Sequence, residues 1–396
     1  MRRFLIGDRL FEEESSEFRA ILAPAYEQGL RPYCQCNEPP VAMYIARLDE
    51  QHLVKRMPLT GRNHDPACPS FEPPYDLSGL GPLIGNAIQV DANGRASLKI
   101  DFSLTKKGPR AAASRSAGPQ ESAIRNEPEK LSLRATLHYL WEVGELTEWH
   151  TSWAGKRGWG RVRTSLMNAA SQMTTRGGQL SDVLFVPETF HQEDKEAIAA
   201  RRATALCGAQ ASGTGPRKLM IAVAEVKEFI PARVGHRIAV RHLPFPFMLE
   251  DQAWKRLNAR YDTELELWRS NDELHLVMIA TFGISASGVA AVEEVAMMVV
   301  NENWIPLENV HERHLLNRLA GLRRKFVKGL RFNLSHEQPI VSVTLPEQRP
   351  CPVAMFIVLA GAGGNYQRAL TEMIEARPEM TPWIWYIAEG DMPQLP

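Results

Sequence analysis

Three cysteines and one histidine near the start of the chain constrain its folding more than any other feature. Cys34 and Cys36 form a C-x-C pair, and His64 and Cys68 follow as H-x-x-x-C. Three soft thiolates and one imidazole are the ligand set of a closed, four-coordinate structural zinc site, which leaves no position open for a substrate. In C-x-C a tight chain reversal can aim both sulfurs at one ion. His64 and Cys68 are spaced for one helical turn or a compact loop, and Pro66 and Pro69 favour the loop. Between the two pairs, Met43-Tyr44-Ile45-Ala46 and Leu53-Val54-Lys55-Arg56-Met57 alternate like two short strands. A hairpin there brings its own ends together, and the ligand pairs sit at those ends. The competing reading is three ordinary buried thiols; disulfides are disfavoured because nothing suggests an oxidising compartment. Cys207 and Cys351 lack neighbours at ligand spacing and read as small buried hydrophobes.

A chain of 396 residues is long enough for two or three domains. Lys and Arg equal Asp and Glu at 46 each, so overall charge attracts no polyanion and any nucleic-acid contact must come from local patches. Residues 1–18 carry Glu12-Glu13-Glu14 where a signal peptide needs an apolar core. The longest uncharged run, 276–292, contains Thr, Ser and Gly; 276–282 alone reads as a buried strand, which argues against a membrane span. The expectation is a cytoplasmic protein with no membrane partner.

Periodicity divides the chain. Residues 1–105 form a zinc-centred β unit. Residues 106–130 are rich in Pro, Gly, Ser and charge, cannot bury enough surface to offset ordering entropy, and read as a flexible linker. Residues 131–215 are helical: Leu133, Leu137, Leu140 and Trp141 share a face, 162–173 repeats the pattern, and 180–186 reads as a short strand, an order that suits a winged-helix-like unit. Residues 216–300 alternate at 219–229, 237–241 and 274–282, with a long helical stretch at 249–268. The class is α+β.

Two segments mix cations with aromatics. Between the helices of the middle region stand Trp153, Lys156, Arg157, Trp159, Arg161 and Arg163. Later, Arg323, Arg324, Lys325, Lys328 and Arg331 place five cations in nine residues. Arginine and lysine can hold phosphates and indoles can stack on bases, which makes both segments candidates for DNA contact. The alternative is that the tryptophans are core and the cations solvate a surface.

Residues 301–396 run in the order helix, hairpin, helix, strand, with strands at 340–345 and 353–359. That order resembles the core of PD-(D/E)xK nucleases, which hold Mg²⁺ with an aspartate on one strand and an E-x-K on the next. Here both strands are apolar at those positions, so the copy reads as degenerate; Glu308 and Glu312 alone cannot hold Mg²⁺ firmly. Glu225 and Lys227 form an E-x-K elsewhere, but without a preceding strand aspartate. No catalytic residue is assigned.

Across nearly its full length the chain resembles the bacterial domain-of-unknown-function family 1173. The residues that carry this are Cys34, Cys36 and Cys68, the string Lys55-Arg56-Met57-Pro58 with Thr60-Gly61, the segment Phe71-Glu72-Pro73-Pro74, and the motifs Gly155-Lys156-Arg157 and Lys328-Gly329-Leu330-Arg331. Members are carried on integrative and conjugative elements, so the resemblance implies a role in the life of a mobile element and other proteins of that element as partners. It implies no reaction. The leading expectation is a zinc-stabilised, non-catalytic DNA-associated accessory protein; the alternatives are a metal-dependent nuclease using Glu225, Lys227 or Glu308, and a protein-interaction scaffold.

Overall fold

The computed structural model describes residues 2–48, 51–91, 94–106, 129–210 and 217–396. The segment read as a linker falls almost wholly outside them. The class is α+β, as its mixed periodicities predict.

The N-terminal unit is an antiparallel sheet in the order β2 (Arg9–Glu12), β1 (Arg3–Ile6), β3 (Pro32–Cys34), β4 (Val41–Leu48), β5 (Gln51–Arg56). Helix α1 (Ser16–Glu27) covers it. Ser15 caps α1 by accepting from the Phe18 N–H at 3.1 Å. Phe18 and Leu22 then point to one side, and Phe18 stacks on Phe4 of β1 with ring centroids 5.1 Å apart. The expected hairpin is β4–β5, registered from Met43 opposite Arg56 to Leu48 opposite Gln51.

The remaining sheets are assembled across the segment boundaries expected from periodicity. A seven-stranded central sheet contains Leu184–Phe185, Met220–Pro231, His236–Val240, Phe247–Leu249, His275–Ile284, Ala290–Val300 and Pro306–Leu307. A five-stranded C-terminal sheet joins Phe326–Lys328, Val343–Leu345, Val353–Val358 and Thr381–Tyr386 to Glu148–Trp149 from the middle of the chain. Met173–Thr175 pairs in parallel with Ala96–Leu98 of the first hundred residues. Strand pairing is non-local, and an apolar run does not encode its partner, so these sheets join strands from segments far apart in sequence. The element order helix, helix, hairpin does occur at 133–179, but the hairpin belongs to the sheet formed with Ala96–Leu98.

Three local expectations change for stated reasons. Residues 180–186 are one helical turn, Leu180–Val183, before the short strand Leu184–Phe185. The stretch 249–268 is two helices, Asp251–Arg260 and Asp262–Arg269, because Tyr261 leaves helical geometry (φ −115°, ψ 27°) to bury its ring. Helix Leu133–Val143 buries eight of its residues, more than one face, because it packs under the central sheet on one side and the C-terminal region on the other.

The Lys328-Gly329-Leu330-Arg331 motif lies inside this assembly. Gly329 is required by close approach: a Cβ there would come within 2.0 Å of the Val341 carbonyl oxygen. Arg331 donates to Glu308 Oε2 at 2.6 Å and to the Ser335 and Gln338 carbonyls. Burial alone would raise the Glu308 carboxyl, but the charges of Arg331, Lys328 and His336 outweigh it and hold the group down to about 2. A depressed carboxylate stabilises the fold fully above its unfolded value near 4.5, and that stabilisation is lost as pH falls toward 2. Wild type should therefore lose on the order of 3 kcal/mol more than Glu308→Gln between pH 5 and pH 2 in urea denaturation; parallel curves for the two proteins would refute the linkage.

Candidate functional site

The four residues singled out by spacing converge. Cys34 ends β3, Cys36 follows in the turn before β4, and His64 and Cys68 lie in the loop after β5. The hairpin returns the chain so that the two ligand segments meet, and Asn37 Nδ2 ties them by donating to the Asn63 carbonyl at 3.1 Å. Asp65 shapes the loop: its carboxylate accepts from the Ala67 N–H at 2.7 Å and its carbonyl from the Cys68 N–H at 2.8 Å. The proline-rich loop predicted from sequence is what forms, not a helical turn.

One ligand atom from each of the four residues lies within 4.8 Å of the others. Cys34 Sγ and Cys68 Sγ are 3.9 Å apart, His64 Nδ1 is 3.1 Å from Cys36 Sγ and 3.7 Å from Cys68 Sγ. Cys34, His64 and Cys68 are buried and Cys36 is partly so. Sulfurs this close, with an imidazole nitrogen among them, form a donor set that can hold one metal ion. His64 uses Nδ1 toward the sulfurs; its Nε2 is buried without a hydrogen-bond partner among the described residues.

The surroundings favour the thiolate at Cys68 and the thiol at Cys34 and Cys36. The hydrogen bond from Cys34 is the main cause that holds Cys68 down to about 3; burial opposes it and the contact with His64 adds to it. The same shared proton, with burial, pushes Cys34 up. The Ser70 N–H donates to Cys68 Sγ at 3.4 Å. Arg2 pairs with Glu13, donates to Ser70 Oγ at 3.0 Å, and places its charge near Cys34 and Cys68. Arg2 and Ser70 are parts of the site that sequence reasoning missed, because only the fold brings β1 beside the loop. Cys207 is exposed and Cys351 half-buried, so neither is the buried hydrophobe expected.

The cations and tryptophans split into two groups. Trp159 is core: its Nε1 donates to the Pro187 carbonyl at 2.8 Å and its ring packs on Trp304. Arg157 lies over Trp153 at 4.6 Å and donates to the carbonyls of Glu145, Leu146 and Glu148. Arg163 donates to the Val186 carbonyl at 3.1 Å. Lys328 and Arg331 are buried in ion pairs with Glu312 and Glu308. Arg324 reaches Glu347 and the Pro396 carbonyl. Lys156, Arg161 and Arg323 stay exposed and Lys325 half-exposed.

Although 172 positions separate them, the two segments meet: Thr151 Oγ1 donates to the Arg323 carbonyl at 3.1 Å, and Trp149 is registered opposite Phe326. Lys325 is close enough to Glu148, and Arg161 to Arg157, for their charges to be felt there.

The acids of the nuclease alternative do not converge. Glu225 accepts from Arg241 at 2.7 Å and from His275 at 2.8 Å, Lys227 is exposed beside Glu228, and Glu308 is held by Arg331. Among the described residues the Cys/His set is the group of three or more His, Cys, Asp or Glu that could hold an ion.

With this geometry in view, one comparison is decisive. A family profile described as a protein of unknown function (DUF1173) matches residues 4–388. The chain belongs to the DUF1173 family. No curated protein and no solved structure matches it. In this DUF1173 protein no helix of the described residues is long and apolar enough to cross a membrane; the uncharged run 276–292 forms nearly all of one central strand, a turn and the start of the next strand.

Proposed function

We propose that this DUF1173 protein is a zinc-stabilised accessory protein of a mobile genetic element that associates with DNA and performs no catalysis through its metal. Zinc is the ion chosen because three thiolates and an imidazole are its structural donor set. Zn–S bonds of about 2.3 Å in a tetrahedron place sulfurs roughly 3.8 Å apart, against 3.9 Å between Cys34 and Cys68. Four protein ligands close the coordination sphere, so the ion's role is to tie β3 to the loop after β5.

The observation that carries the DNA reading is the meeting of two cationic segments from distant parts of the chain, with Lys156, Arg161 and Arg323 exposed and Lys325 half-exposed. The mobile-element context rests on the family's occurrence on integrative and conjugative elements. Salt-dependent fluorescence anisotropy tests the reading. Each phosphate contact contributes a slope of about −0.9 in log K against log salt on duplex. Lys156→Ala, Arg161→Ala and Arg323→Ala together should flatten the slope by up to about 2.7 while metal content is unchanged. If wild type binds neither single- nor double-stranded DNA at low salt, the scaffold reading takes its place.

A further inference from the structure

Between the β4–β5 hairpin, the end of helix Leu133–Val143 and the strand Phe326–Lys328 lies a cleft whose wall includes Tyr44, Glu72, Tyr139, Glu142 and Glu145. Its acids exceed the cations that answer them. Arg56 pairs with both Glu72 and Glu148, Lys55 lies 3.6 Å from Glu145, and Lys328, in the same wall, is taken by Glu312. In the same lining, Arg62 lies over the Tyr75 ring at 4.7 Å. Glu142 has no ion-pair partner among the described residues. Burial, then the charge of Glu72, pushes Glu142 up to about 8.

A second observation is independent of the acids. Tyr139 is 1% exposed, and its hydroxyl has no hydrogen-bond partner among the described residues. It lines the same cleft, near enough to Glu72 and Glu142 to feel both charges. A buried hydroxyl of this kind destabilises the fold if it stays unpaired. It is a donor and acceptor held ready beside facing carboxylates.

We propose that this cleft binds a small organic cation of the primary-amine or guanidinium class, seated between the carboxylates of Glu72, Glu142 and Glu145 and against the hydroxyl of Tyr139. Like charges facing each other in a partly dry cleft favour a proton or a cation between them. A hard divalent ion fits less well, because it needs several oxygens within about 2.6 Å of one point, and among the described residues these carboxylates do not converge as a group that could hold one. Leu59 and Val143 add apolar wall, which suits the methylene stem of an alkylamine. Arg56 already shows the mode within the protein, one guanidinium bridging two glutamates.

The test is isothermal titration of the full-length, metal-loaded protein with agmatine, which carries a guanidinium and an ammonium on one stem. Magnesium chloride at matched ionic strength is the comparison. One-site saturable binding is expected, weakened about tenfold or more by Glu142→Gln, since a charged hydrogen bond is worth about 1.5–3 kcal/mol. Tyr139→Phe should weaken binding several-fold without lowering the unfolding midpoint, because the hydroxyl it removes has no protein partner among the described residues; it serves as the second variant if Glu142→Gln does not fold. Absence of saturable binding, equal binding by both variants, or displacement of agmatine by magnesium at matched ionic strength would overturn the proposal.

Discussion

Replacing Cys68 by serine is expected to abolish metal binding and unfold the N-terminal sheet, the largest single-residue effect in the protein. Elemental analysis of wild type should give one equivalent of zinc, and Cys68→Ser or Cys34→Ser well under half. Zinc sites of this type carry about 10–16 kcal/mol of apparent binding energy in small metal-centred peptides. The local core has little to set against that loss: it consists of a few side chains from β1, β2, β3, β4 and α1, and Cys34 and Cys68 are themselves among them. The damage should spread, because Ser70 links the ligand loop to Arg2, and its carbonyl accepts from Arg56 at 3.2 Å. A chelator should reproduce the serine variants in circular dichroism and in protease sensitivity of residues 2–70. Wild type that keeps its structure after complete zinc removal would refute a structural role for the ion.

Lys328→Ala is expected to destabilise the whole protein by about 3–5 kcal/mol, the typical cost of orphaning one member of a buried ion pair. Lys328 and Glu312 are 1% and 3% exposed and 2.9 Å apart. The pair is also fully wired. Lys328 Nζ donates to the Gly329 carbonyl at 2.7 Å, and Glu312 Oε2 accepts the Glu308 N–H at 2.8 Å. Removing the lysine leaves a buried carboxylate whose nearby cation, Arg331, is already engaged by Glu308. A double variant, Lys328→Met with Glu312→Leu, should cost much less than the sum of the single changes, because no charge is then left alone. Urea denaturation of the four proteins measures the coupling. Additive effects would show that the pair does not act as a unit. Burial makes a further distinction: Lys328→Met should leave the salt slope of DNA binding unchanged, whereas changes at Lys156 or Arg323 should not.

Chemistry was readable from the sequence wherever a residue type has few uses. Three cysteines and a histidine at short spacing have one economical arrangement, and the alternation at 43–57 supplied the hairpin that closes it. Apolar periodicity was equally informative at β4, β5, His275–Ile284 and Val353–Val358, since a strand's burial pattern is local to its own residues. Where the expectation concerned partners, it failed. The cationic runs look alike in sequence, yet Lys328 lies in the interior and Arg323 on the surface, because the strand Phe326–Lys328 carries its last residue under helix Val310–Gly321, where Glu312 waits. Trp159 and Trp153 sit six positions apart, and one is core while the other backs an arginine. The cleft acids are spread over 73 positions, from Glu72 to Glu145, with no motif to join them. Spacing determined which four side chains can hold a metal ion, and periodicity placed many of the strands and helices. Only the tertiary structure decided which charges are neutralised, which are exposed and which face each other, because the field at a side chain is set by neighbours in space rather than in sequence.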